Sequence, residues 1–284
     1  MTWLRWLAIS FGLVSTAFAA PAQQVTAPHV SIELIAENSA IEPGRTFSAG
    51  VLFTLEKGWH VYWLNPGDSG SPPKIEWHLP AGFQAGDIQW PAPKRLPLQS
   101  LMDFGYENQV LLMTAISAPK QLNAGPVPLA ATVKWVVCSE VCIAGKGDVA
   151  LALPIVRTAA QPSADQKLFL STLEQLPKPA PATLHLRGAS TSVSFVISGR
   201  RSRPVHSLEF FPAEPLQIES AAPQALTQEP NGRFCLAVKK AEQMTRPLAT
   251  LRGLLVVDGQ AYTVVLPLTA GKKNSCSPVP TPRI

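Results

Sequence analysis

Val51-Leu52-Phe53-Thr54-Leu55-Glu56-Lys57-Gly58-Trp59-His60-Val61-Tyr62-Trp63 is the stretch on which the fold is decided. Val51, Phe53 and Leu55 share one parity, as do Trp59, Val61 and Trp63, and Lys57-Gly58 breaks the two runs apart. An apolar side chain at every second position is the period of a strand that buries one face, so the stretch reads as two strands joined by a turn. The same alternation returns in Val133, Trp135 and Val137, in Val193, Phe195 and Ile197, and in Phe234, Leu236 and Val238. Turn signals fall between the runs at Asn65-Pro66-Gly67, Ser71-Pro72-Pro73 and Pro91-Ala92-Pro93, and Asp258-Gly259 between two apolar runs is the signature of a type I′ hairpin.

Composition points the same way. The chain has 284 residues with 28 prolines and only 15% charged residues, a balance that works against helices and favours strands joined by rigid loops. The expected fold is all-β: two immunoglobulin-like β-sandwich domains, residues 24–157 and 184–270, joined by a Pro/Ala-rich linker over 158–183. The linker carries one short helix, Ser163 to Leu176, with Leu168, Phe169, Leu173 and Leu176 at helical spacing and Pro177 ending it. Residues 271–284 read as a polar, flexible tail. At the other end, Arg5, the apolar run Trp6 to Val14 and the small residues Ala17-Phe18-Ala19 read as a signal peptide over 1–19. The apolar run is too short to span a membrane, so the expectation is an exported chain, soluble after cleavage and with no integral membrane segment.

The formal charge of +5 falls to +4 without Arg5, and Lys and Arg are scattered, which argues against nucleic-acid binding. No Ser-His-Asp signature, phosphate loop or telling carboxylate pair supports a hydrolase or nucleotide enzyme, and no cofactor is implied.

Four cysteines remain. Cys138 and Cys142 would lie about 13 Å apart on an extended strand, beyond the ~7 Å reach of a disulfide, so the chain must turn between them if they pair. A loop that short stabilises little, which leaves redox cycling, an inert disulfide and metal ligation as readings of the spacing. Ligation of zinc or copper needs His60 or His78, and no compact histidine spacing supports it; His60, opposite in parity to Trp59 and Trp63, reads as surface-facing. Cys235 and Cys276 would close a long loop and fit a structural disulfide. Glu140 would raise a thiol pKa in the pair, and Lys134 and Lys146 would lower it.

Lys57-Gly58-Trp59-His60-Val61-Tyr62-Trp63, Asn65-Pro66-Gly67-Asp68-Ser69-Gly70, Gln89-Trp90-Pro91-Ala92-Pro93, Phe104-Gly105-Tyr106-Glu107 and Trp135-Val136-Val137-Cys138 with Cys142-Ile143 together resemble the periplasmic N-terminal region of the DsbD and ScsB thiol:disulfide interchange proteins. That resemblance implies an immunoglobulin-like redox domain passing reducing equivalents through Cys138 and Cys142, with Cys142 forming mixed disulfides and Cys138 resolving them. It further implies a loop carrying an aromatic cap over the pair. The matching stretch holds Asp103, Phe104 and Tyr106, with Phe104 as the cap and Tyr106 as its alternative. The implied partners are thioredoxin-fold periplasmic proteins and a separate membrane electron donor, since the sequence ends at Ile284 with no multi-helix membrane relay. In that setting the chain would be a protein-disulfide reductase or an electron-relay subunit. The competing readings are a non-catalytic β-sandwich module that binds an envelope protein or glycan, and a copper or zinc carrier using the same thiols.

Overall fold

The computed structural model describes residues 23–244 and 246–271. The signal-peptide segment 1–19, Cys276 and the tail from 272 onward lie outside the described residues.

The first half of the chain forms eleven strands: β1 Val25–Ala27, β2 Val30–Ala36, β3 Thr46–Leu55, β4 His60–Gly67, β5 Lys74–His78, β6 Gln84–Gln89, β7 Lys94–Leu98, β8 Leu101–Glu107, β9 Gln109–Ser117, β10 Val127–Cys138 and β11 Cys142–Leu153. They build two sheets, one in the order β1-β2-β3-β9-β6 and the other β11-β10-β4-β8-β7, with β5 added along β10. The expected alternation holds: Val51, Phe53, Val61, Trp63, Val133, Trp135 and Val137 are all buried in one apolar cluster to which both sheets contribute. The turn at Gly58 has φ of +86°, a conformation open to glycine at little cost.

Helix α1, Gln166–Gln175, lies within the expected span and packs on the outer face of the first sheet. Phe169 is fully buried there with Ile35, Leu52, Leu111 and Met113. Thr172, not Leu173, is the second buried helix residue; Leu173 is exposed, so the buried stripe is narrower than four apolar residues suggested. The segments around the helix are tied down: Asn38 bridges Pro162, Ile41 bridges Ile155, and β12, Lys178–Pro179, runs parallel to the last strand.

The remaining strands are β13 Arg187–Ser190, β14 Ser194–Arg200, β15 Leu208–Pro212, β16 Ala225–Gln228, β17 Arg233–Lys239, β18 Thr250–Val257 and β19 Gln260–Ala270, in the order β15-β18-β19-β13-β14-β17-β16. Phe195 and Ile197 from one flank of this sheet meet Phe210, Leu255 and Val264 from the other in a second apolar cluster. Asp258 and Gly259 both have positive φ, 49° and 83°, as the type I′ turn requires, and the β18–β19 register closes on Val257 opposite Gln260.

Adjacent residues of β15 serve different cores. Phe210 and its register partner Leu255 point into the second cluster, whereas Phe211 and its partner Leu254 point into the first. Phe211 makes edge-to-face contacts with Phe104, at 5.2 Å between ring centroids, and with Trp63, at 6.3 Å. Polar ties flank this join: Asn65 Nδ2 donates to Pro212 O at 2.8 Å, and Arg95 Nη2 donates to Ser220 O at 2.7 Å.

Candidate functional site

Strands β10 and β11 pair without interruption from Val127 opposite Leu153 to Cys138 opposite Cys142. The hairpin closes through Ser139-Glu140-Val141, where Ser139 N–H donates to Val141 O at 3.0 Å. This turn brings the two Cα atoms to 4.2 Å, and the sulfurs are joined in a disulfide. The backbone ladder thus makes the approach that an extended chain forbids. Its two halves are unequal in access: Cys138 is fully buried, while Cys142 is exposed at the hairpin tip.

Register places the pair beside a polar cluster. Cys138 lies opposite His60 on β4, and β4 pairs in turn with β8. Along β4, Val61 and Trp63 face the apolar core, so His60 and Tyr62 face the other way, toward the cysteines. That second face is covered as well. His60 is only 7% exposed and Tyr62 is wholly buried, which corrects the expectation of a solvent-facing histidine. Parity placed His60 opposite the tryptophans correctly, but parity says nothing about what lies over the far face.

Asp103 anchors the cluster. His60 Nε2 sits 3.2 Å from Asp103 Oδ2, and a carboxylate only accepts, so the histidine proton lies on Nε2. Ser69 donates its backbone N–H to Asp103 Oδ1 at 3.1 Å, and its hydroxyl is 2.9 Å from both carboxylate oxygens. Tyr62 Oη lies 3.2 Å from Ser69 Oγ, 3.5 Å from Asp103 Oδ2 and 3.8 Å from Cys142 Sγ. Sulfur, phenol, serine hydroxyl and carboxylate form one chain of hydrogen-bonding groups that leads inward from the exposed half of the disulfide. Burial, with the nearby Asp103 charge, pushes the Tyr62 phenol up to about 12 even though its hydrogen bond to Ser69 acts in the opposite direction. The phenol is therefore neutral, with its proton available, across the physiological range.

Gly70 fixes the ring of Tyr62 from behind. A Cβ at Gly70 would sit 2.0 Å from Tyr62 Cζ, and its φ of +69° is left-handed, so both space and backbone call for glycine. Asp68 closes the same loop by accepting from Met102 N–H at 2.9 Å.

The residues expected at the cap divide between two faces of β8. Asp103 faces the cysteines, as above. Phe104 is fully buried in the first apolar cluster against Phe211, and Tyr106 is buried in the same cluster with its hydroxyl donating to Pro91 O at 2.8 Å. Neither covers the pair; the aromatic ring that touches it is Tyr62. Alternation along β8 forces Asp103 and Phe104 apart, and local sequence does not say which of the two faces inward. Tyr62 and Ser69 went unassigned in the sequence, although Tyr62 shares parity with His60 and Ser69 adjoins the glycine that packs on it.

Cys235 lies on β17, opposite Ser198 on β14 and Thr227 on β16, and its expected partner Cys276 is outside the described residues. His78 pairs with Thr132 Oγ1 at 2.8 Å, well down β10 from the cysteines. Among the described residues no group of three or more metal-ligating side chains comes together, and no helix is long and apolar enough to cross a membrane. Lys134 binds Glu76 at 3.1 Å, so its charge is shared with that carboxylate.

Residues 31–154 match the family model described as thiol:disulfide interchange protein DsbD, N-terminal, a stretch that contains both cysteines and every member of the polar cluster. The resemblance to the DsbD and ScsB proteins is thus shown. Among solved structures, the N-terminal periplasmic domain of ScsB from Proteus mirabilis superposes with a TM-score of 0.65 at 17% identity, over 87% of this chain and 98% of that one. This is a likeness of fold, and it extends past the family match into the second half of the chain. The periplasmic chaperone SfaE aligns over 84% of this chain and 100% of its own at 8% identity, but its TM-score of 0.22 carries no weight. No curated protein matches.

Proposed function

We propose that this protein is a periplasmic thiol:disulfide interchange protein in which Cys142 exchanges with partners and Cys138 resolves. The observation that carries the reading is the asymmetry of the disulfide, one sulfur exposed at a hairpin tip against Tyr62 and the other buried behind it. Exchange proceeds by in-line attack of a thiolate on one sulfur, so access decides which sulfur forms the mixed disulfide. A donor thiolate attacks Cys142 Sγ, the bond to Cys138 breaks, and Cys138 leaves as the thiolate. The donor's second thiolate then attacks the donor sulfur of this mixed disulfide, the donor departs as its own disulfide, and Cys142 is released as the thiolate, so that both cysteines are reduced.

In the reduced protein, the Cys142 thiolate attacks a partner disulfide, the mixed disulfide forms, and Cys138 displaces the partner as a dithiol. Two electrons pass at each exchange, and Tyr62, Ser69 and Asp103 supply a route by which the Cys142 proton can leave or return. The partners in this reading are thioredoxin-fold periplasmic proteins on one side and a membrane electron donor on the other. The same reading takes the architecture as two immunoglobulin-like units, 24–157 and 184–270, with 158–183 between them, and takes Cys235 with Cys276 as the structural disulfide.

A Cys138→Ala variant, which keeps the exposed thiol and removes the resolving one, tests the proposal. It is expected to accumulate a mixed disulfide through Cys142 with an oxidised thioredoxin-fold protein, released by dithiothreitol. If no adduct forms while the same oxidised protein reacts with a small dithiol, the reading fails.

A further inference from the structure

In a different sheet from Cys138 and Cys142, one end of the β13-β14-β17 sheet carries a concentration of arginine, with Cys235 two positions along β17 from Arg233. Arg200 and Arg233 lie directly opposite each other in the β14–β17 register, and Arg187 lies opposite Ser198, two residues from Arg200 on the same face. Phe195, Ile197, Phe234 and Leu236 occupy the buried face, so the three arginines share the solvent side. Like charges directly opposite on antiparallel strands destabilise the pairing, with Cβ atoms only about 5 Å apart. No acidic side chain relieves them: among the described residues neither Arg187, Arg200, Arg203 nor Arg233 forms an ion pair. Arg201 alone of the group is neutralised, by Asp258.

The arginines surround a concavity. Arg200, Arg203 and His185 line a cleft of about 940 Å³, and Arg187 and Arg233 line the recess that adjoins it. Its walls are tied together. Arg201 N–H donates to Gly232 O at 2.9 Å, Gly232 N–H to Glu229 O at 3.1 Å, and Glu229 N–H to Arg233 O at 2.8 Å. Asp258 holds the opposite loop by accepting from the backbone N–H groups of His206 and Ser207 at 2.7 and 3.0 Å. A Cβ at Gly232 would lie 2.3 Å from Arg201 O, and its φ is +79°, so the two loops meet this closely only because residue 232 is glycine. Glu229 is the single acid in the lining, and Asn231 Nδ2 donates to it at 2.9 Å.

We infer that this cleft is a binding site for a small polyanion carrying two or more phosphate-type groups. Guanidinium groups present planar, paired N–H donors that match tetrahedral oxyanions in bidentate fashion. Adjacent phosphate groups bring several charges to one place, as the convergence of four unpaired arginines at one sheet end requires. An extended acidic peptide would instead spread its same-face carboxylates about 7 Å apart along its own strand. Binding the polyanion relieves the Arg200–Arg233 repulsion as it forms, so the site is stabilised by occupancy.

Inorganic tripolyphosphate is the probe, titrated calorimetrically into the full chain at low salt and at about 0.15 M salt, where charges more than about 8 Å apart are screened. One saturable site is expected at both. Arg200→Gln with Arg233→Gln should weaken it at least about tenfold, because two charge-assisted contacts are lost. Lys57→Gln with Lys167→Gln, exposed lysines elsewhere, should change it less than about twofold. Near-ultraviolet circular dichroism that matches the parent protein shows that the arginine variant is folded; should it fail to fold, Arg203→Gln in the loop is the substitute. Vesicles of phosphatidylglycerol form the second arm: sedimentation with vesicles that tripolyphosphate displaces identifies a lipid headgroup as a source of the ligand. Absence of saturable tripolyphosphate binding, or equal weakening by the lysine variant, overturns the inference, as does vesicle binding that survives loss of Arg200 and Arg233.

Discussion

Removing the Cys138–Cys142 disulfide should leave the protein folded, and the structure sets how much stability goes with it. The bond closes a loop with a sequence separation of four. Loop-closure entropy for so short a loop amounts to about 2 kcal/mol, acting on the unfolded chain. In the folded state the bond is largely redundant, since eleven consecutive register pairs, from Val127 opposite Leu153 to Val137 opposite Ile143, lead up to Cys138 opposite Cys142. In a Cys138→Ala, Cys142→Ala variant, truncation of the buried Cys138 adds roughly 1 kcal/mol. A total of about 3 kcal/mol lowers Tm by roughly 6 to 12 °C at this size. Thermal unfolding followed by circular dichroism under non-reducing conditions reads this directly and leaves Cys235 and Cys276 as they are. A cooperative transition within that window is what a pair able to cycle requires, because its dithiol form must remain native. A variant that is unfolded at 25 °C, or melts more than about 20 °C early, would refute the reasoning and make the bond a staple.

Two further outcomes follow from the packing and the titration. Phe211→Ala empties a fully buried site against Phe104 and Trp63 and should destabilise the chain by about 3 to 5 kcal/mol in urea unfolding; a loss under about 1 kcal/mol would mean that the ring does not hold the two cores together. Because burial raises the Tyr62 pKa in the folded state, its contribution to stability is complete below the ordinary value of 10.0 and is lost as pH climbs toward about 12. Phenolate absorbance should show Tyr62 titrating near that upper value, and a step near pH 10 that Tyr62→Phe abolishes would contradict the buried cluster.

Much of the architecture could be read in advance because it rests on local periods. The alternation at Val51 to Trp63 and Val133 to Val137, and the Asp258-Gly259 hairpin, are decided by side-chain parity and backbone freedom within a few residues. The turn required between Cys138 and Cys142 was legible for the same reason. What escaped depends on contacts distant in sequence. His60 and Tyr62 are buried because the Ser69 loop, Asp103 and the cysteine hairpin close over a strand face that looks exposed in isolation. Phe104 is drawn into the core by Phe211, more than a hundred positions away, and no property of Asp103-Phe104 alone announces that. The arginine cleft was invisible for a related reason: Arg187, Arg200 and Arg233 are scattered along the chain and converge only through strand register.

The division of Phe210-Phe211 between two interiors bears on how this chain can be cut. A fragment ending before β13 would lack Phe211 and Leu254, and would present Trp63 and Phe104 at an open apolar surface. Such a fragment is prone to self-association whatever the quality of its own sheets. Domain boundaries drawn from sequence rhythm therefore mark where strands begin, and they are poor guides to where an expression plasmid should stop. Replacing the exposed aromatic patch with polar side chains, or retaining the chain through β19, is the condition for handling the cysteine-bearing half in solution.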